Sequence, residues 1–102
     1  MYQVLWRYKV KPEYIAAFLK IYDSSGEWAQ LFVKSPNFIK TELFYETNAI
    51  QFFITVDHWK SKNAYQEFYK KYKKEIDRLD ALGNQMTIRE ERIGEFITEK
   101  ID

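Results

Sequence analysis

The sequence predicts an α+β fold whose elements follow one another as β-α-β-β-α-β. Three observations carry that order. The chain opens with a period-2 alternation of β-forming residues from Tyr2 to Val10. Two later stretches carry apolar residues at steps of three and four, the spacing of a helix packed on a sheet. The remaining segments are again extended, rich in β-branched and aromatic residues, and separated by short polar links.

Strand one puts Tyr2, Val4, Trp6, Tyr8 and Val10 on one side and Gln3, Leu5, Arg7 and Lys9 on the other. Lys11-Pro12-Glu13 then starts a helix, with proline at the first helical position and an acid in the first turn. Ile15, Phe18, Leu19 and Tyr22 recur at helical spacing. The pattern is disturbed at Asp23-Ser24-Ser25-Gly26, where Ser24 and Glu27 have capping-box spacing, and Trp28, Leu31 and Phe32 resume the stripe. Two alternatives stay open here: one kinked helix, or a second short helix starting at about Ser25. Ser35-Pro36-Asn37 ends the helical region, because proline disfavours helix at the residue before it.

Extended runs from Phe38 to Glu46 and from Ile50 to Asp57 follow, and the link Thr47-Asn48-Ala49 makes them an antiparallel hairpin. Ser61 is the expected N-cap of a helix carrying Tyr65, Phe68, Tyr69, Tyr72, Ile76 and Leu79. That helix is expected to reach Leu82 and stop with Gly83 just past its end. MTIREERIGEFITEK is extended again, with Gly94 at a bulge or tight bend. Right-handed crossovers fold this order into the ferredoxin-like plan, a four-stranded antiparallel sheet with both helices on one face, as a single domain over residues 1–102.

Composition narrows the function. With 16 basic and 15 acidic residues the net charge is +1, which gives no field for nucleic acid or an anionic membrane. The one basic run, Lys70 to Lys74, is followed by EIDRLD and reads as a solvated helix face. There is no cysteine, and a single histidine does not make the usual zinc site, so no metal and no cofactor is expected. The opening MYQVLWRYKV is charged and alternating, and no stretch approaches the ~20 apolar residues of a membrane span; the expected location is the cytoplasm.

Aromatic residues make up 19% of the chain, more ring area than a small monomer can easily hide. Strand three also fails the test for a sheet with one wet face. Ile50, Phe52, Ile54 and Val56 are apolar on one side, while Phe53 and Trp59 occupy the other. A sheet apolar on both faces needs a second cover, and an identical sheet from another copy supplies one, so a homodimer through sheet faces is expected.

The element order, a strand ending in tryptophan and the W-x-S-x-x-A-Y-x-x-F entry to the last helix (Trp59, Ser61, Ala64, Tyr65, Phe68) resemble the antibiotic biosynthesis monooxygenase domain, a dimeric α+β barrel. GEWAQLF, TELFYET and ERIGEF are similar to one recurrent branch of that family, and the resemblance spans Val4 to about Phe96. It implies a cavity in each subunit, between sheet and helices, that takes a flat ligand. Haem-degrading members use an asparagine on strand one, a tryptophan at the end of strand three and a histidine on the second helix. Here Trp59 matches the tryptophan, Trp6 stands near the asparagine position, and Ser61 to Leu82 holds no histidine, so haem degradation is not expected.

The candidate ligand-binding residues are Trp6, Trp28, Trp59, Tyr65 and Tyr69, which either ring a cavity or fill it. The candidate catalytic residues are Trp59, as a ring stacked on a planar substrate, and His58 and Arg7, as base or donor. His58 is one step along the strand from Trp59 and so points to the opposite face, and neighbouring Asp57 is not placed to orient it. Three functions follow: a monooxygenase-like enzyme for a small aromatic or quinoid compound without metal or flavin, a dimeric barrel that only binds a hydrophobic small molecule, or a structural dimer.

Overall fold

The computed structural model describes residues 1–98. Strand β1 (Tyr2–Val10) runs through the middle of the sheet, as its apolar alternation requires. A 3-10 turn over Pro12–Tyr14 leads into helix α1 (Ile15–Tyr22), and helix α2 (Glu27–Phe32) follows. Strands β2 (Phe38–Tyr45) and β3 (Phe52–Trp59), helices α3 (Lys62–Lys71) and α4 (Lys73–Met86), and strand β4 (Thr87–Ile97) complete the described chain. The strand order is β2-β3-β1-β4, all neighbours antiparallel, which is the ferredoxin-like α+β arrangement. No helix among the described residues is long and apolar enough to cross a membrane.

The alternation of β1 and β3 decides what each sheet face carries. Tyr2, Val4, Trp6 and Tyr8 stand opposite Trp59, Asp57, Thr55 and Phe53, and this row lies beneath the helices. Val10, Phe18, Phe32, Phe53 and Trp59 are at most 1% exposed and form the centre of the core. The other face carries Leu5, Phe52, Ile54 and Val56, flanked by Arg7, Glu42, Glu46 and His58, and no helix among the described residues covers it.

The break at Asp23–Gly26 resolves as two helices. Gly26 caps α2 in extended conformation without any side-chain bond, so Ser24 and Glu27 do not form the expected capping box. A Cβ on Gly26 would sit 2.6 Å from the Ile21 carbonyl oxygen, which is why the chain folds back tightly there only with glycine.

The last helical region also divides. Ser61 caps α3 by accepting a hydrogen bond from the Ala64 amide at 3.1 Å, but Tyr72 (φ −109°, ψ 30°) leaves the helical geometry and α4 starts afresh. Gly83 does not end α4. It lies inside it because the Tyr22 ring packs on its backbone, and a Cβ there would be 2.0 Å from the Tyr22 hydroxyl.

Strand β3 starts two residues later than expected, since Ile50 lies 85% exposed in the turn, and runs on through Trp59. At Gly94 the sheet has its bulge. Leu5 pairs with Gly94 and Trp6 with Arg92, leaving Ile93 without a partner. Residues 99–100 of the expected last strand lie outside the described residues.

Candidate functional site

Between the helices and the sheet lies a cavity with about 50 Å³ open to the centres of water molecules. One water needs roughly 10–15 Å³ by that measure, so the space takes a few waters, and a benzene-sized ring, for which a cavity of about 150 Å³ suffices, enters only if the wall rings move apart. Its walls are the rings of Trp6, Tyr8, Tyr22, Trp28, Phe32 and Tyr69. These come from β1, α1, α2 and α3, whose apolar stripes all converge on one spot above the sheet. Trp6 and Tyr8 stack at 6.3 Å, Tyr8 meets Tyr22 at 4.9 Å, and Trp28 meets Phe32 at 5.5 Å.

The remaining lining is polar: Thr41, Thr55, Asp57, Asp80 and Glu90. Register explains the first three, because Thr41 is paired with Asp57 across β2 and β3, and Thr55 is two residues from Asp57 on the same face. The Thr41 hydroxyl donates to Asp57 Oδ1 at 2.8 Å. Asp57 is 8% exposed and has no ion pair among the described residues. Burial pushes its carboxyl up to about 6, against which the Thr41 hydrogen bond acts only in part. Glu90 is half-buried and Asp80 largely exposed, and both are raised in the same direction by partial desolvation, and secondarily by Asp80 and by Asp77 respectively. The cavity floor is thus acidic and holds its charge reluctantly.

Trp6, Trp28 and Tyr69 are brought together at this cavity. Trp59 and Tyr65 stand beside it in the packed interior: Trp59 is 0% exposed, with Phe32, Phe38 and Phe68 each at 5.2 Å and Tyr65 at 5.9 Å. The indole N–H groups of Trp28 and Trp59 make no hydrogen bond, although the Trp28 group lies near enough to the Tyr22 hydroxyl to favour its ionised form.

His58 and Arg7 lie on the other face of the sheet. His58 Nε2 meets Glu42 Oε1 at 2.6 Å, and its Nδ1 is buried without a partner. Arg7 holds Glu46 through two hydrogen bonds, at 2.6 and 3.0 Å, and covers the Phe52 ring at 4.1 Å. Glu46 is lowered by that guanidinium, chiefly through the hydrogen bond.

Asp57 is not among the site residues that the sequence singles out, nor are Asp80 and Glu90. A signal was present: Thr55 and Asp57 interrupt a face whose other β3 positions are Phe53 and Trp59. Two polar side chains on the buried face of a central strand call for partners, and only the fold shows that a cavity supplies the space. None of these acids belongs to a group placed to hold a metal ion among the described residues.

Solved structures share this fold. SnoaB, a cofactor-independent oxygenase from Streptomyces nogalater, is 14% identical and superposes with a TM-score of 0.73 over 98% of this chain and 94% of that one. A conserved protein from Methanosarcina mazei Go1 gives 0.74 at 14% identity, over 96% and 92%. A putative antibiotic biosynthesis monooxygenase from Deinococcus radiodurans gives 0.72 at 12% identity, over 100% and 96%. The fold is that of the antibiotic biosynthesis monooxygenases. No family model matches the sequence, and no curated protein is similar to it in sequence.

Proposed function

We propose that this chain is a cytoplasmic, homodimeric monooxygenase-like enzyme that binds a small hydroxylated aromatic or quinoid compound in the cavity and oxidises it without metal or flavin. One observation carries the reading: a space walled by six rings has a single deeply buried carboxyl, Asp57, on its floor. An aromatic box excludes water and stacks a flat substrate, and a carboxyl raised to about 6 is a better proton acceptor than an ordinary one.

The chemistry balances for a hydroquinone. A ring hydroxyl gives its proton to Asp57, and the anion passes an electron to dioxygen. The superoxide joins the ring radical, and the hydroperoxide loses water as Asp57 returns its proton. Hydroquinone and dioxygen become hydroxyquinone and water, with all four electrons taken from the substrate. In this reading Trp6, Trp28 and Tyr69 flank the ring, while Trp59 and Tyr65 hold the wall behind them. The likeness to a cofactor-independent oxygenase supports the reaction class through the fold alone.

Oxygen uptake with 1,4-dihydroxybenzene tests it. Uptake above the autoxidation rate should saturate with substrate and fall at least about tenfold in Asp57→Asn, the usual scale for losing a general base. Saturable quenching of tryptophan fluorescence with no extra oxygen uptake would leave a binding protein and overturn the enzyme.

A further inference from the structure

The charge of the cavity is one-sided. Asp57, Asp80 and Glu90 line it, and among the described residues no Lys, Arg or His does. Composition does not explain this, since the chain has 16 basic and 15 acidic residues. Elsewhere Glu46 holds Arg7, Glu95 holds Lys62 and Arg92, and Asp77 holds Lys73, while Glu13, Glu67 and Glu75, which have no ion pair among the described residues, are exposed to water. The three cavity acids have no ion pair among the described residues.

Asp57 is the telling one. A carboxyl with 8% exposure normally takes a basic partner or a full set of donors, because an unpaired buried charge costs several kcal/mol. Among the described residues its hydrogen-bond donor is Thr41 alone. The rings around it offer negative π faces, which attract cations and not anions.

Building on the aromatic cavity proposed above, and not on the proton transfer to Asp57, whose carboxylate here meets the ammonium in place of the ring hydroxyl, we propose that the cavity selects a cationic phenol: a hydroxylated aromatic ring bearing a protonated amine, the ring between the tryptophans and the ammonium facing Asp57, Glu90 and Asp80. The ligand's charge then serves as the missing counter-ion of the cavity floor.

Three phenols of matched shape and different charge test this: tyramine (cation), 4-ethylphenol (neutral) and 3-(4-hydroxyphenyl)propionate (anion). Binding is read by tryptophan fluorescence and calorimetry on the intact protein at pH 7. Tyramine should bind at least about tenfold more tightly than 4-ethylphenol, and the propionate should be weakest. Asp57→Asn should erase the advantage of tyramine over 4-ethylphenol, and Glu90→Gln should reduce it in part. Circular dichroism checks that both variants fold, and either one alone suffices for the comparison. Equal affinity of tyramine and 4-ethylphenol, or an advantage untouched by both substitutions, overturns the cationic ligand and leaves the aromatic site standing. If none of the three phenols binds, the site itself falls, and the selectivity with it.

Discussion

Asp57 works against the fold that holds it. Its carboxyl has an ordinary value of 3.8 and is pushed up to about 6 by burial, so the folded chain binds that proton more tightly than the unfolded chain. Linkage then sets the sign: between about pH 4 and 6, stability falls as pH rises, and the deficit is complete above about 6. Asp80 and Glu90 are shifted in the same direction and deepen the slope. Glu95 acts oppositely, held down to about 2 first by Lys62 and then by the Tyr2 hydroxyl, so its contribution is lost only as pH falls below about 4. Asn at position 57 still accepts the Thr41 hydroxyl but carries no charge. Each tenfold change in proton affinity is worth roughly 1.4 kcal/mol, so Asp57→Asn should gain about 1–3 kcal/mol at pH 7. It should also flatten the stability curve between pH 4 and 6. Urea denaturation at pH 4, 5, 6 and 7 measures both. A variant that keeps the wild-type slope would place the titrating group elsewhere. A buried acid retained at such a cost is what a site residue looks like, since function commonly draws on stability.

At the scale of elements, α4 is shaped by a contact that begins in α1. Tyr22 stacks on Phe18 at 4.2 Å and sends its hydroxyl against the backbone of Gly83, so the ring is wedged between its own helix and α4 while also lining the cavity. Gly83→Ala gains up to about 1 kcal/mol of helix propensity but drives a methyl into that hydroxyl, a clash of the overpacking kind that costs about 1–3 kcal/mol. The net should be a loss of about 1–2 kcal/mol with weaker phenol binding, and Tyr22→Phe in the same chain should recover most of the stability. A double-mutant cycle by thermal melting reads the coupling; additive effects would separate the two residues. This contact also explains what was legible beforehand. The alternation of Tyr2 to Val10 and the Ser61 cap depend on neighbours in sequence, and both stand where sequence logic puts them. Gly83 reads locally as a helix stop, whereas its role is set by a side chain some sixty positions away. The cavity acids have the same difficulty, because Asp57, Asp80 and Glu90 meet only through β3, α4 and β4.

The whole molecule separates its two sheet faces by task, and this makes the assembly testable without disturbing the site. Everything that lines the cavity lies on the helix side. The open side presents Leu5, Ile54 and Val56 at its centre and the exposed rings of Phe44 and Phe96, 47% and 49% accessible, toward its edges. The polar groups of that face are largely satisfied within the subunit, with Arg7 on Glu46 and His58 on Glu42, so a second copy would meet apolar surface and charges already paired. A standard interface takes about 800 Å² per partner, roughly an eighth of the 6592 Å² surface of this chain. Val56 is the position to change, because its cross-strand neighbours are Leu5 and Glu42. Val56→Lys sets an ammonium beside the Glu42 carboxylate in the free subunit but traps a charge in a sheet-to-sheet interface. Native mass spectrometry at micromolar concentration should then give a dimer for the wild-type chain and a monomer for Val56→Lys, with phenol binding unchanged within about twofold because the cavity belongs to one subunit. A wild-type monomer would leave the open face without its expected cover, and a variant that stays dimeric would move the interface away from this sheet. Loss of phenol binding on dissociation would mean that the cavity is completed, or at least held in shape, from across the two-fold axis.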